Sequence, residues 1–169
     1  GLKYKKQREQ HMEKYIESKY RKEIDEIVAS AIVMTLAFQD QQGPWTAPVY
    51  YSGKLENLFF LSSPDTRHGQ AINNGLPFAA SIFREPESCQ KIKGLQTAGE
   101  VKKVESEEVA RTSFLNKFPF VVLFLAKSRL IDPLIKEKAG KTSFYSFVPS
   151  QVTLVDNSVK FGFHHTVSL

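Results

Sequence analysis

The sequence is poor in the residues that build disulfides and cysteine-rich metal sites. Cys89 is the only cysteine among 169 residues, which excludes an intrachain disulfide and a cysteine-rich zinc site and favours a reducing compartment. Apolar runs of the roughly 18 residues that span a bilayer are also missing, and the first residues are too charged for a signal peptide. We therefore expect a soluble, cytoplasmic protein with no membrane partner.

A strong charge of one sign is also missing. The net charge is only +5, from 23 Lys and Arg against 18 Asp and Glu, which suits an anionic partner of any kind. The basic residues are dispersed and the aromatic residues are not interleaved with them, a pattern typical of solvated surface. A nucleic-acid-binding barrel is therefore the weakest of the alternatives, and no nucleic-acid partner is expected.

Aromatic residues are abundant. Thirteen Phe and six Tyr recur in short clusters bounded by Gly, Pro, Ser or Asn, as in strands. The length suits one domain, 1–169. Within it, residues 1–30 carry apolar side chains at helical spacing, including Met12, Ile16, Tyr20 and Ile24, and predict an amphipathic helix.

The remainder, 31–163, reads as strands with helical insertions. The predicted strands are Ala31–Phe38, Trp45–Tyr51, Leu58–Ser62, Phe78–Phe83, Gln90–Val104, Phe144–Val148, Val152–Val155 and Val159–Phe163. Pro48 cannot donate to a ladder, which predicts an edge, a bulge or a cofactor contact there. Gly94 and Gly99 interrupt a strand and predict bulges or close backbone approach.

Two short helices interrupt the strands. Thr66–Asn74 follows turn and cap chemistry and stops at Gly75, and a second helix runs from a Ser106 cap to about Lys117. The segment Phe118–Lys141 is apolar and lies outside the clear strands. We expect it to cover a pocket, although a helix, a strand or a lid would each fit its first residues.

This order of elements, together with three phrases, resembles a known superfamily. The phrases are Ser62-Ser-Pro-Asp-Thr-Arg-His-Gly-Gln-Ala-Ile72, Ile92-Lys-Gly-Leu-Gln-Thr-Ala-Gly-Glu100 and Val155-Asp-Asn-Ser-Val-Lys-Phe-Gly-Phe163. They resemble the pyridoxamine 5′-phosphate oxidase-like FMN-binding split barrels, and within them the uncharacterised UPF0306 or YhbP-like group. The resemblance implies an α+β, mainly β fold: a split β-barrel with flanking helices.

The resemblance also implies a cofactor, FMN, whose dianionic phosphate needs cationic side chains and N–H donors. Thr66, Arg67 and His68 match that need, because Arg67 could pair with two phosphate oxygens in its planar fork while the other two donate. By the same resemblance, Ser62 and Ser63 would lie along the ribityl chain or phosphate.

Further residues are implied around the flavin ring. Phe60 and Leu61 would bring backbone groups to its edge, and the second strand would lie beside it through Pro48, Val49 and Tyr50. Gln96 and Lys93 would reach the flavin from a partner subunit. We therefore expect a homodimer with the cofactor at its interface.

The implied function is a flavin-dependent oxidoreductase or flavin reductase acting on a small molecule, with no separate catalytic residue required. Pyridoxamine phosphate oxidation itself is not expected, because the Arg- and His-containing motif near the C-terminus of those enzymes is absent. The alternative is a non-catalytic protein that binds or handles haem or another flavin. His11, His68, His164 and His165 offer possible haem ligands, but His164 and His165 are adjacent and predict a surface pair rather than a metal site.

Overall fold

A computed structural model describes residues 1–120 and 140–169 and confirms the mainly β, α+β fold. The described helices are α1 (Leu2–Ser30), α2 (Arg67–Asn73) and α3 (Glu107–Lys117), with a 3-10 turn at Cys89–Lys91. The described strands are β1 (Val33–Asp40), β2 (Gly43–Lys54), β3 (Asn57–Ser62), β4 (Phe78–Phe83), β5 (Lys93–Lys103), β6 (Ser143–Asp156) and β7 (His164–Ser168). Most of the segment expected to cover a pocket, residues 121–139, lies outside the described residues.

The strands form one antiparallel sheet that closes on itself. Their order is β3-β2-β1-β4-β5-β6-β7, and an additional pairing of β3 with β6 joins the first strand to the sixth. The first half of β6 pairs with β3, from Ser143 to Phe147. Its second half pairs with β7, from Gln151 to Val155. The side of β6 that faces away from β5 therefore pairs with β3 in its first half and with β7 in its second half. This division makes the barrel a split one.

The two strands predicted at Phe144–Val148 and Val152–Val155 are one continuous strand, so that division of the sequence was wrong. Pro149 and Ser150 suggested a break, but Pro149 pairs with Gly99 at a register shift between β5 and β6. It also lies between the β3-paired and β7-paired halves of β6. A proline is tolerated there because its missing N–H faces no neighbouring strand.

Pro48 also lies where one side of its strand has no neighbouring strand. It pairs with Thr35 of β1 on one side, while β2 pairs with β3 only from Tyr51 onward. The predicted edge position is therefore confirmed.

The prediction of a closing strand at Val159–Phe163 was also wrong, because these residues form a turn and the last strand is β7. The Asp156 carboxylate accepts hydrogen bonds from the Ser158 amide and hydroxyl, and Asn157 Oδ1 accepts from the Gly162 amide. Gly162 has φ of +74°. Local side-chain acceptors thus offer the backbone an alternative to a ladder and override the strand propensity of Val159 and Phe161.

Both glycines of β5 lie where backbone approaches closely, as predicted. A Cβ at Gly99 would lie 2.3 Å from the Val148 carbonyl oxygen, and one at Gly94 would lie 2.9 Å from Cβ of Phe83. The bulge lies at Ala98/Gly99 only. Gly94 is therefore a close-approach site and not a bulge.

The core has two parts. The barrel interior is filled by fully buried side chains such as Leu36, Phe60, Ile82 and Phe147. A second cluster lies outside the barrel, where Ala110, Phe114 and Phe118 at α3 cover Phe59 and Phe144. α3 starts after Ser106, but this serine makes no side-chain cap bond, so the predicted cap hydrogen bond is wrong although the helix is right.

The long helix α1 is anchored by its second half only. Ile24, Ile27 and Val28 are buried, and the Tyr51 hydroxyl donates to the Val28 carbonyl at 2.7 Å. Residues 1–19 are all exposed, so the predicted apolar stripe packs only from Tyr20 onward, leaving Met12 58% and Ile16 38% exposed. Among the described helices, none is long and apolar enough to cross a membrane.

Candidate functional site

A cluster of hydroxyl and imidazole groups lies at the end of β3, where the chain turns into α2. Ser62 Oγ lies 2.6 Å from Nε2 of His68 and 3.3 Å from Oγ1 of Thr66. Thr66 is the N-cap of α2: its hydroxyl accepts from the Gly69 amide at 3.0 Å and donates to the Ser63 carbonyl at 2.8 Å. The structure thus brings together four residues that the sequence singled out, and we call Ser62, Ser63, Thr66 and His68 the hydroxyl pocket.

His68 is half-buried in this pocket, and burial lowers the pKa of its imidazole below the usual value. The neutral ring is therefore favoured near pH 7. A neutral imidazole bonded to a hydroxyl can donate or accept, so the pocket can reorganise its protons around an incoming anion.

Arg67 points toward the end of β1 and the start of β2. Its Nε donates to Oδ2 of Asp40 at 2.8 Å and its Nη2 donates to Oδ1 at 2.7 Å. The guanidinium also stacks 4.3 Å from the ring centre of Trp45. The planar fork that we expected to face a phosphate is therefore occupied by a carboxylate of the same chain.

The Arg67 hydrogen bonds lower the pKa of Asp40 to about 2, since they favour its charged form. Asp40 is consequently ionised throughout the neutral range. We call Asp40, Trp45 and Arg67 the arginine clamp.

The donor set fits a phosphate in part. Hydroxyl groups, an imidazole and the first amides of a helix, which lack intrahelical acceptors, are all groups that bind phosphate oxygens. The Asp40 carboxylate works against an anion, because it neutralises the adjacent guanidinium. The hydroxyl pocket is thus suited to a phosphate monoester. The carboxylate of the arginine clamp opposes the binding of that anion.

Lys93 lies elsewhere. Its Nζ is 3.2 Å from Oε2 of Glu23 in α1 and 3.2 Å from Oδ2 of Asp156. Burial alone would raise the pKa of Asp156, but hydrogen bonds from Ser158 and Lys93 outweigh it and lower that pKa. In this structure Lys93 anchors α1 to the barrel, and its contact with a cofactor stays a prediction.

Gln96 and Pro48 lie in the same row on the outer face of the sheet. Pairing aligns Pro48 with Thr35, Thr35 with Ser81 and Ser81 with Gln96, in one row across four strands. Gln96 is exposed, whereas Lys93 is three positions earlier in the same strand and so faces the opposite side. A groove of about 380 Å³ is nevertheless lined by both Gln96 and Lys93, together with Phe83, Ile92 and other mainly apolar groups.

The other predicted ring contacts are dispersed. Phe60 is fully buried in the barrel, with strands paired on both sides at Tyr51 and Tyr145. Val49 packs against the barrel core and Leu61 against the second cluster. Tyr50 is 54% exposed and contacts Phe118 edge-on. Their roles at a cofactor stay predictions.

Three residues near these sites were not singled out by the sequence. Asp40 and Trp45 complete the arginine clamp. Asp40 precedes Arg67 by 27 positions, and a pair so far apart in sequence leaves no local pattern that predicts it. Lys117 places Nζ 4.0 Å from the Tyr51 ring centre and 3.3 Å from the Val28 carbonyl oxygen. Burial lowers the pKa of Lys117 to about 8.

The predicted surface position of the two histidines near the end of the chain holds for His164 and is wrong for His165, because the two face opposite ways. His164 is exposed, whereas His165 is half-buried and its ring lies 4.5 Å from that of Tyr20. Within residues 1–120 and 140–169, His, Cys, Asp and Glu form no cluster of three that could hold a metal ion.

Comparison with known proteins identifies relatives over about half of the chain. The UPF0306 protein of Citrobacter koseri is 31% identical over 96 residues, which cover 54% of this chain and 66% of that protein. The UPF0306 protein YhbP of Salmonella paratyphi B is 29% identical over the same length and is covered to 65%. The match thus spans just under two thirds of these relatives. No family model matches the chain.

Solved structures share the fold at low identity. A haem-binding protein of Mycobacterium smegmatis has a TM-score of 0.63 at 20% identity, over 84% of this chain and 55% of that one. A FAD-binding protein of Mesorhizobium loti has a TM-score of 0.56 at 15% identity, over 77% and 89%. A Clostridium acetobutylicum protein related to general stress protein 26, of the pyridoxinephosphate oxidase family, has a TM-score of 0.61 at 12% identity, over 89% and 95%. The chain therefore shares the split-barrel fold of these structures and is similar to the UPF0306 proteins over about half of its length.

Proposed function

We propose that the protein binds FMN, with the flavin phosphate in the hydroxyl pocket, and serves as an oxidoreductase or flavin reductase for a small molecule. One observation carries this proposal. At the end of a strand in a split barrel, Thr66 Oγ1 and His68 Nε2 both lie within 3.3 Å of Ser62 Oγ. The FAD-binding structural neighbour supports a flavin in this fold.

A bound flavin would supply the two-electron redox chemistry itself. The chain's own residues would bind and orient it: Ser62 would donate to a phosphate oxygen, and His68 would donate once its Nε2 is released from Ser62. Arg67 would add its positive charge from the side of the pocket. No catalytic residue is assigned, and a location in the cytoplasm remains a prediction from the sequence.

The absorbance spectrum of the gently purified protein tests this proposal, before and after addition of FMN and desalting. We expect flavin absorbance in the wild type and at least about tenfold weaker FMN binding in Ser62→Ala and Arg67→Ala, because each removes a donor to a charged phosphate. Ser150→Ala is the matched control, since Ser150 is exposed and bonds to the Ala98 carbonyl far along the chain from the pocket. A wild type that does not retain FMN contradicts the proposal.

We also propose that two copies associate through the outer face of the sheet. Eleven outward positions along the middle of β1, β2, β4 and β5 carry no charged residue, although 24% of the chain is charged and exposed charges lie near strand ends at Lys54, Glu100 and Lys102. They are Val33, Thr35, Ala37, Thr46, Pro48, Tyr50, Ala79, Ser81, Phe83, Gln96 and Ala98. A partly exposed sheet face of small and apolar residues is typical of an interface rather than of free surface.

Light scattering tests this association. Wild-type protein is expected to be a dimer, and Ala79→Arg a monomer, because a charge in the middle of the face would be buried without a partner. Thr112→Arg on the exposed side of α3 adds the same charge away from this face and should leave the dimer intact. A monomeric wild type, or a dimeric Ala79→Arg variant, would refute this interface.

Haem binding is the second candidate. It is favoured by one feature: Nε2 of His165 is buried and has no hydrogen-bond partner among the described residues, as a ligand nitrogen would be. The haem-binding structural neighbour supports it. A Soret band after haem addition that disappears in His165→Ala would favour haem over FMN.

A further inference from the structure

We propose that Asp40 sets the affinity of the hydroxyl pocket for phosphate monoesters by holding the Arg67 fork in competition with the ligand. This inference rests on the proposed function, since it concerns the same pocket. It assigns a role in specificity to the last residue of β1, which lies outside every motif.

The geometry of the arginine clamp carries the first step. The Asp40 carboxylate accepts from Nε and Nη2 of Arg67 at 2.8 and 2.7 Å, which is the two-point arrangement that Arg also uses toward phosphate. A phosphate that takes two hydrogen bonds from the same edge of the guanidinium must therefore displace Asp40.

The second step concerns what keeps the clamp in place. Nη2 of Arg67 also donates to the Gly43 carbonyl at 3.3 Å, and the guanidinium stacks on Trp45. The Gln42 amide donates to Oδ1 of Asp40 at 2.8 Å. Both partners of the ion pair are thus fixed by further contacts, so the occupied state is preorganised and opposes an external anion.

The third step is charge. Arg67 contributes +1 and Asp40 contributes −1, so the clamp presents no net charge to a dianion. Because the bonds from Arg67 keep Asp40 ionised at neutral pH, ordinary changes of pH do not release the fork. Competition therefore depends on the concentration and charge of the ligand.

The test is Asp40→Asn, which keeps an oxygen for the Gln42 amide and removes the charge. We measure the affinity for FMN, riboflavin and inorganic phosphate by calorimetry on the full chain. FMN and phosphate should bind about five- to tenfold more tightly to the variant, the range expected when a partly exposed charge-assisted pair no longer competes. Riboflavin, which has no phosphate, should bind equally to both proteins.

Two further variants locate the effect. Asp65→Asn removes a nearby negative charge, at the residue before Thr66, that contacts Lys141 and not Arg67. A gain much smaller than that of Asp40→Asn would separate competition for the fork from general electrostatics. In the double variant Asp40→Asn/Arg67→Ala the gain over Arg67→Ala should disappear, since Asp40 acts through Arg67.

The outcomes separate this inference from the proposed function. If FMN does not bind but phosphate does and Asp40→Asn strengthens it, the proposed function fails and the role of Asp40 stands for another phosphorylated ligand. If FMN binds and Asp40→Asn leaves it unchanged or weakens it, the function stands and the competition is refuted. If neither probe binds to either protein, both are refuted.

Discussion

Arg67 and Lys93 are two cations that the sequence assigned to one cofactor site, and the structure gives both of them carboxylate partners in different surroundings. Arg67 pairs with Asp40 at the surface, where their side chains are 23% and 20% exposed. Lys93 pairs with Asp156, whose side chain is 3% exposed. A surface partner can be exchanged for a ligand at small cost, whereas a buried carboxylate cannot lose its cation without a large penalty. We therefore expect exchange of the carboxylate for a ligand at Arg67 and not at Lys93.

The largest effect should come from Lys93→Met. We expect the free energy of unfolding in urea to fall by about 2 kcal/mol at pH 7, below the full cost of breaking a buried pair because Lys93 itself is partly exposed. The deficit should shrink below about pH 4, since protonation of Asp156 removes the uncompensated charge. A stability equal to the wild type, together with weaker FMN binding, would place Lys93 in the cofactor site instead.

Arg67→Met should have a smaller effect on stability and a different response to salt. A partly exposed pair is screened more than one with a buried carboxylate, so the loss of stability caused by this variant should shrink in 1 M salt, which reduces the Debye length to roughly 3 Å. The Lys93→Met loss should persist in the same buffer. Urea unfolding at low and high salt measures the loss of stability of both variants. An equal response to salt would contradict the proposed difference between the two ion pairs.

Lys117 extends the comparison to a half-buried cation with a carbonyl and an aromatic ring in place of a carboxylate. Its pKa of about 8 lies below the usual 10.5, so unfolding takes up a proton between these values and stability gains from Lys117 as pH rises through that window. Lys117→Met should abolish this contribution.

Urea unfolding at pH 7.5 and 9.5 measures the effect of Lys117→Met. Lys102→Met is the control, because the Lys102 side chain is 72% exposed. The same pH dependence in wild type and Lys117→Met would contradict the assignment.

The strands and the short helix α2 could be predicted from sequence because their signals are local. A nearly continuous apolar run from Ala31 to Phe38 marks β1, and the hydroxyl of Thr66 marks the start of α2 where it accepts from the Gly69 amide. The hydroxyl pocket was predictable for the same reason, since Ser62 and His68 are only six positions apart.

The remaining features depend on partners distant in sequence. Pro149 argues for a break until its position between the two halves of β6 is known. Val159 and Phe161 favour a strand by propensity, but the side chains of Asp156 and Asn157 accept backbone hydrogen bonds that form a turn instead. The partners of Arg67 and Lys93 lie 27 or more positions away, and no local pattern predicts which carboxylate a cation will find.

The pairing of β3 with β6 has a consequence for kinetics. It joins residues as far apart as Asn57 and Ser146, 89 positions along the chain, whereas β6 and β7 are neighbours in sequence. Contacts of such separation form late, because a long loop must close first. Ser62 pairs with Ser143 at the end of that seam, so transient opening there would take the hydroxyl pocket apart. A ligand in the pocket should therefore slow amide exchange along β3 before it affects any other strand.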